Sequence, residues 1–469
     1  MARADSHDAR AIALRALGLF RREGIFVQGA LDQIARERTV SSADLALATE
    51  LALGVMRHRL TLRHLLSHFL RGRWAHFKPE LRDVLLLGAY QLVFLERVPD
   101  FSAVNKTVEL AKGLGGRRAA GLTNAVLREL LRHRQPDTLD PAAAELTHRI
   151  EVGTNQCVAF DIAILPDPDE DLVAHISLAM SHPAWLVRRW LKWYGRDRTV
   201  RICRYGTSRP EVFLRPNRLR VSPEDLLARL DKENADVSLD TERGLIHWRS
   251  GPPLTHLQAF GQGLFQPQDP TAKSVVDLAG LQPHQTILDL CAGPGTKCTY
   301  AAELMKDRGV IVAADRTEAR IALVDESARR LGLSIIRTCL ASEVASRLLH
   351  GSAPDVVFVD VPCSNTGVLA RRPEARYRLR PDRLKKLARK QQELLGQAAE
   401  LAGPKTRIIY STCSIEKEEN ESVIESFCHR HGNFRVQDSR LVLPNVGKTP
   451  IGWHDGGFAA VLAQESANK

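Results

Sequence analysis

The stretch from Thr286 to Tyr300, T-I-L-D-L-C-A-G-P-G-T-K-C-T-Y, narrows the fold more than any other part of the chain. Ile287, Leu288 and Leu290 read as a short buried parallel strand, and Gly293, Pro294 and Gly295 as a turn too tight and too close to a ligand for bulky residues. A helix is predicted from Thr296. Strand, glycine turn and helix in that order form the front edge of a doubly wound α/β sheet, whose ligands sit beyond the carboxyl ends of the strands. Asp315 closes the next apolar run about 20 residues past the turn, where an acidic side chain takes ribose hydroxyls. The expected ligand contains adenosine. The spacing is not G-x-G-x-x-G, and Lys297 lacks the acidic metal partner of a P-loop, which argues against a phosphate cradle. A purely structural glycine turn in some other α/β enzyme stays open on this stretch alone.

At 469 residues the chain is long enough for two or three domains, each with its own core. The longest uncharged apolar run, Val84 to Leu95, is broken by Gln91 and falls short of the roughly 18 to 20 residues that a bilayer span needs. The start, M-A-R-A-D-S-H-D, carries no signal-peptide apolar segment, so a cytoplasmic protein that binds no membrane is expected. Eight cysteines are scattered without a C-x-x-C pair or a neighbouring histidine cluster, which predicts neither zinc nor a disulfide framework. Most read as small buried hydrophobes.

The net charge of +11 is unevenly placed. Residues 1–134 hold 22 Lys and Arg against 13 Asp and Glu, and Arg371 to Lys390 holds ten basic residues against Glu374 and Asp382. A polyanion, nucleic acid before membrane, is the expected partner, because neither run carries a lipid-binding aromatic face. A solvated helix face is the plain alternative for either run.

Apolar residues recur at helical spacing through residues 1–134, with breaks at Gly24, Pro79, Pro99 and Gly113 to Gly116 and cap residues at Ser41, Ser42 and Asp44. An all-α bundle is predicted there. Residues 135–180, rich in Pro and Asp, read as a linker or irregular connection, with one short strand in Cys157 to Leu165. Residues 181–280 read as a small α+β module that contacts RNA, and 281–469 as the doubly wound sheet. Within the sheet, the strand Asp355–Asp360 runs into Val361-Pro-Cys363-Ser-Asn-Thr-Gly367, and the strand from Ile408 ends at Cys413. Parallel strands deliver both loops to the edge that carries the glycine turn, so Asp360, Cys363 and Cys413 should converge beside the ligand. Two thiols and a carboxylate beside an adenosine pocket point to covalent chemistry.

Three motifs, C-A-G-P-G-T-K at Cys291 to Lys297, D-V-P-C-S-N-T-G-V at Asp360 to Val368 and Y-S-T-C-S-I-E-K-E-E-N at Tyr410 to Asn420, resemble those of the RNA cytosine-C5 methyltransferases. D-G-G-F at Asp455 to Phe458 and S-H-P-x-W-L at Ser181 to Leu186 extend the likeness over about residues 180 to 465. V-N-K-x-V-E-L-A-K at Val104 to Lys112 and T-N-A-V-L-R at Thr123 to Arg128 look like a NusB-type RNA-binding domain. The combination is similar to the ribosomal RNA small-subunit methyltransferase B family.

The resemblance implies a Rossmann-like catalytic domain behind a NusB-like bundle, with S-adenosylmethionine as cofactor and one cytidine of 16S rRNA as substrate. It implies no DNA partner and a monomer. By this likeness Cys291, Ala292, Gly293, Pro294, Gly295, Thr296, Lys297, Asp315 and Asp360 surround the cofactor. Cys413 is the nucleophile that adds to C6 of the base, Cys363 assists the later elimination, and Asp360 with Lys297 handles the base edge and its N3. The chain departs from the family pattern at Thr338 to Ser342, where an acidic residue expected near the adenine is absent, leaving Ser342 or Glu343 as substitutes. Methylation of tRNA or another RNA is the alternative within this class. A non-catalytic NusB-like RNA-binding protein on a decayed scaffold is the alternative outside it.

Overall fold

The structure, a computed structural model, describes residues 8–153, 155–344, 353–447, 449 and 452–465. They fall into two units: the chain up to Ser208 together with Leu369–Arg378, and Arg209–Val368 together with the chain from Leu379 on.

In the first unit the helical periodicity becomes six helices, α1 (Ala9–Glu23), α2 (Val27–Glu37), α3 (Ser42–Arg57), α4 (Arg59–Phe69), α5 (Pro79–Phe94) and α6 (Asp100–His133). Their ends follow local chemistry. The Asp8 carboxylate accepts the Arg10 N–H at 2.8 Å and starts α1, and the Ser41 hydroxyl accepts the Asp44 N–H at 3.0 Å and starts α3. Pro79 opens α5, where a missing N–H costs nothing. The predicted break at 113–116 is present: Gly115 and Gly116 leave helical geometry, and Asp100–His133 is two helical segments joined across that kink. Leu17, Leu31, Leu51, Leu62, Leu86 and Leu127, all buried, share one core.

Residues 135–180 are more regular than the expected irregular connection. Three strands, β1 (Arg134–Leu139), β2 (Arg149–Gly153) and β3 (Gln156–Phe160), make an antiparallel sheet in the order β1-β3-β2, and Ile150, Val158 and Phe160 join the helical core. The sequence of β1, R-Q-P-D-T-L, contains Pro and Asp, which disfavour strands, so only β3 was legible. The basic run Arg371 to Lys390 also divides. Leu369–Arg378 belongs to the first unit, where the fully buried Arg376 donates to Ser181 O at 3.1 Å and to Gly206 O. Arg376 is therefore a packing residue and not part of a solvated basic face.

The second unit begins with a small antiparallel sheet of β4 (Val212–Pro216), β5 (Asp236–Asp240), β6 (Leu245–Ser250) and β7 (Phe265–Pro267), in the order β5-β6-β4-β7. Leu226 and Leu230 of the helix Pro223–Lys232 pack on its Leu214, Ile246 and Phe265. The large sheet comprises β8 (Thr286–Asp289), β9 (Val310–Asp315), β10 (Ile336–Leu340), β11 (Val356–Asp360), β12 (Arg407–Thr412), β13 (Phe434–Val442) and β14 (Gly457–Gln464). Their order is β10-β9-β8-β11-β12-β14-β13, parallel through β12, with β14 antiparallel to both its neighbours. Val356 and Phe358 face one core cluster and Val357 and Val359 the other, the two-sided burial of a central parallel strand. The strand order reverses between β8 and β11, which places the ligand crevice at their carboxyl ends. Among the described residues no helix is long and apolar enough to cross a membrane.

Candidate active site

β8 ends at Asp289, and the chain turns through Cys291 to Gly295 into the helix Thr296–Leu304. Side chains are excluded at the two glycines of this turn. A Cβ at Gly293 would lie 2.8 Å from Cβ of Arg320 and 2.9 Å from Oδ2 of Asp315, and Gly295 has φ of 104°. The Gly293 N–H instead donates to Asp315 Oδ2 at 3.0 Å, while Asp315 Oδ1 accepts the Arg316 N–H at 2.7 Å. Arg320 Nε also reaches Asp315, at 2.9 Å, from a side chain that is 52% exposed. The carboxylate at the tip of β9 is thus buried and fixed beside the turn, and the half-exposed Arg320 ties it to the turn by also donating to Gly293 O. The partly buried Cys291 side chain packs against the apolar cluster containing Leu288 and Val312.

At the tip of β11, Lys297 Nζ donates to Asp360 Oδ2 at 2.6 Å and the Ser411 hydroxyl donates to Asp360 Oδ1 at 2.7 Å. Burial works against the Lys297 charge, but Asp360, then Cys413 and Asp289, outweigh it and raise the ammonium above its ordinary value. Lys297 therefore keeps its positive charge beside Asp360.

The loops after β11 and β12 bring Cys363 Sγ and Cys413 Sγ to 3.1 Å, both half-buried. Asn365 joins them: its Nδ2 donates to Cys363 O at 3.0 Å, and its Oδ1 accepts from Cys413 Sγ at 3.3 Å. The hydrogen bond to Cys413, then burial, hold the Cys363 thiol well above its usual range. Lys297, Asp360, Cys363 and Cys413 are thus brought together as two contacting pairs.

Three family profiles match in order along the chain. They are the NusB family over residues 7–132, the ferredoxin-like domain of RsmF/B-like methyltransferases over 182–246, and 16S rRNA methyltransferase RsmB/F over 277–451. The probable ribosomal RNA small subunit methyltransferase B of Bacillus subtilis is 30% identical over 427 residues, covering 91% of this chain and 89% of that protein. That of Synechocystis is 32% identical, covering 93% and 92%. This chain belongs to the ribosomal RNA small subunit methyltransferase B family. The crystal structure of PH0851 shares the fold with a TM-score of 0.74 at 22% identity, covering 97% of this chain and 98% of that one. That of NSun6 from Pyrococcus horikoshii with SFG has a TM-score of 0.53 at 18% identity, covering 60% and 98%.

For this member of the small subunit methyltransferase B family, several residues of the site had no assigned role in the sequence. Asp289 is buried, accepts the Cys291 N–H at 3.1 Å, and has its pKa raised to about 7 by burial and then by the charge of Asp360. Its signal was an acid closing a buried strand. Glu419, inside a quoted motif, is the hub of the thiol loops. It accepts the Ser364 N–H at 2.9 Å, Gln391 Nε2 at 2.9 Å, the Ser414 hydroxyl at 2.6 Å and the Ser364 hydroxyl. Arg215 of β4, fully buried, donates to Glu303 at 2.7 Å and to Thr296 O at 3.2 Å, clamping the helix that follows the glycine turn. Where the adenine carboxylate was missed, Glu343 accepts the Leu340 N–H at 3.3 Å and Ser342 is exposed.

Proposed function

We propose that this protein transfers a methyl group from S-adenosylmethionine to C5 of one cytidine in 16S rRNA, through a covalent bond between Cys413 and C6. The observation that carries this reading is the 3.1 Å approach of Cys363 and Cys413 at the carboxyl ends of β11 and β12, on the sheet edge that also holds the Lys297–Asp360 pair. The printed names of the relatives, each a ribosomal RNA small subunit methyltransferase B, support the choice of substrate.

The turn suits the cofactor. The backbone from Cys291 to Thr296 allows close approach at Gly293 and Gly295. A carboxylate offers about four acceptor sites, so Asp315 can take ribose hydroxyls once Arg320 moves aside. Asp289 offers a second buried carboxyl to a cationic ligand, and Lys297 and Asp360 close the side toward the base. When bound, the cofactor supplies an electrophilic methyl group on a sulfonium.

Cytosine C5 is a poor nucleophile until a group adds at C6. The target base must first leave its stack to reach the thiols. Cys413 first loses its thiol proton to solvent, the thiolate forms the S–C6 bond, and N3 takes a proton passed from Lys297 through Asp360. C5 is then an enamine carbon, and its electron pair takes the methyl group. C5 loses its proton to solvent, N3 returns its proton to the Lys297–Asp360 pair, and the C6–S bond breaks with its electron pair staying on Cys413. Cys363, kept protonated by its contact with Cys413 and by burial, donates a hydrogen bond to the departing sulfur. One methyl group is gained and one proton released.

The test uses the full chain, small ribosomal subunit RNA and methyl-labelled S-adenosylmethionine, followed by digestion to nucleosides. Label in 5-methylcytidine at one 16S position is expected. Label on another base or on ribose overturns the reaction, and label in tRNA alone overturns the substrate.

A further inference from the structure

The first unit holds a pocket that the catalytic chemistry does not use. It has a volume of about 240 Å³ and lies where α4, the start of α5 and the segment joining them meet Tyr377. Arg59 and Arg63, one turn apart on α4, and Arg82 of α5 line it, with Trp74 and Tyr377 beside them. Arg59 lies 3.4 Å from the Asp83 carboxylate, but that buried carboxylate is shared with Arg21. Arg63 and Arg82 engage no carboxylate among the described residues. The joining segment adds exposed Arg71, Arg73 and Lys78 and contains no acid.

The chemistry that fits is a phosphate on the guanidinium groups with a flat ring against the aromatic wall. Arginine presents a planar fork matched to phosphate oxygens, and aromatic side chains stack bases of any sequence. The Tyr377 hydroxyl is occupied by Ser181, at 2.9 Å from its Oγ, so the ring is held in place. The pocket is smaller than the roughly 300–1,000 Å³ of sites for free cofactors and drug-sized ligands, which favours a single residue of a longer chain.

We infer that this pocket binds one unpaired nucleotide of the RNA, phosphate on Arg59, Arg63 and Arg82 and base against Trp74, as an anchor separate from the cytidine that is methylated. The inference rests on RNA being the partner, as proposed above.

The test compares full-length variants in binding to 16S rRNA over a range of salt, with thermal midpoints to verify folding. Arg63→Gln with Arg82→Gln weakens binding at least tenfold and makes the slope of log affinity against log salt shallower by about 0.7 for each phosphate released. Trp74→Leu weakens binding about tenfold and leaves that slope unchanged, because stacking releases no counterions. Arg117→Gln with Arg118→Gln, the same charge change at exposed positions of α6, serves as the control and has a smaller effect. Equal weakening by the control pair, or wild-type binding by the pocket variants while cytidine methylation persists, overturns the pocket alone. Wild-type protein that binds 16S rRNA through this pocket but places no methyl on cytidine overturns the proposed reaction and leaves the anchor standing.

Discussion

The sulfur of Cys363 lies 3.1 Å from the sulfur of Cys413, although 50 residues separate them in the chain. The two thiols share a site but not a surrounding: Cys413 donates to Asn365 Oδ1, whereas Cys363 is held protonated by Cys413 and burial. This asymmetry supports the proposal that Cys413 forms the bond and Cys363 assists product release.

Cys413→Ala is expected to lower methyl transfer by at least ~10³-fold while RNA binding survives. Cys363→Ala is expected to methylate once and remain joined to its RNA. Denaturing electrophoresis with labelled RNA checks both: a shifted band should appear for Cys363→Ala and vanish in the double mutant. A shifted band in Cys413→Ala alone would reverse the assignment.

Glu419 accepts four hydrogen bonds in a buried position. Glu419→Ala strands those donors and is expected to cost about 2–4 kcal/mol of stability, with loss of activity as the thiol loops drift. Glu419→Gln keeps an acceptor and the same shape, so it should retain most of both. Urea unfolding of the two variants, with activity on the folded fractions, distinguishes a hub from a filler.

Asp289 supplies a pH dependence whose sign follows from its environment. Its pKa is raised from 3.8 to about 7 by burial and then by Asp360, with Asp315 adding to the rise and Lys297 opposing it. Between those values the folded protein holds a proton that the unfolded chain has released. Stability of the ligand-free protein should therefore fall as pH rises from about 4 to about 7, by up to about 1.4 kcal/mol per unit from this group. Asp289→Asn should flatten that part of the profile, and unfolding at pH 5 and pH 7.5 measures it. An unchanged difference between the two pH values would assign the proton elsewhere.

Arg215→Met removes the buried cation that holds Glu303 and the helix behind the glycine turn. Leaving Glu303 buried and unpaired is expected to cost about 3–5 kcal/mol. Arg215→Met with Glu303→Leu should recover much of it. Calorimetry of the three variants, with S-adenosylmethionine affinity on each, tests whether the clamp also sets the turn.

What could be read from the sequence was local. A buried strand, a glycine turn and an acid at fixed spacing are short-range signals, so the fold class and the convergence of Asp360, Cys363 and Cys413 were legible, while the place of Lys297 came from the family resemblance. The antiparallel strand β13 was not. Most of its residues are exposed or half-exposed at the sheet edge, which leaves little apolar alternation to find. Asp289, Glu419 and Arg215 act through partners brought together by folding, and Arg215 meets Glu303 across 88 residues. Charge counting also misled, because Arg376 looks like any surface arginine until its carbonyl partners are known.

The return of Leu369–Arg378 to the first unit bears on how such a protein can be divided or inherited. Glu374 accepts the Val27 N–H at 2.7 Å, and Arg57 donates to Ala370 O at 3.3 Å, so the helices near the start rely on residues translated more than 300 positions later. A gene cut after Ser208 would encode one fragment lacking those partners and another carrying the buried arginine of a missing neighbour. The same ten residues follow Val368 directly, so neither fragment could be trimmed clean without shortening the loop that carries Cys363. Separated at Ser208, the helical part would lose the acceptors that Glu374 and Ala370 give to Val27 and Arg57.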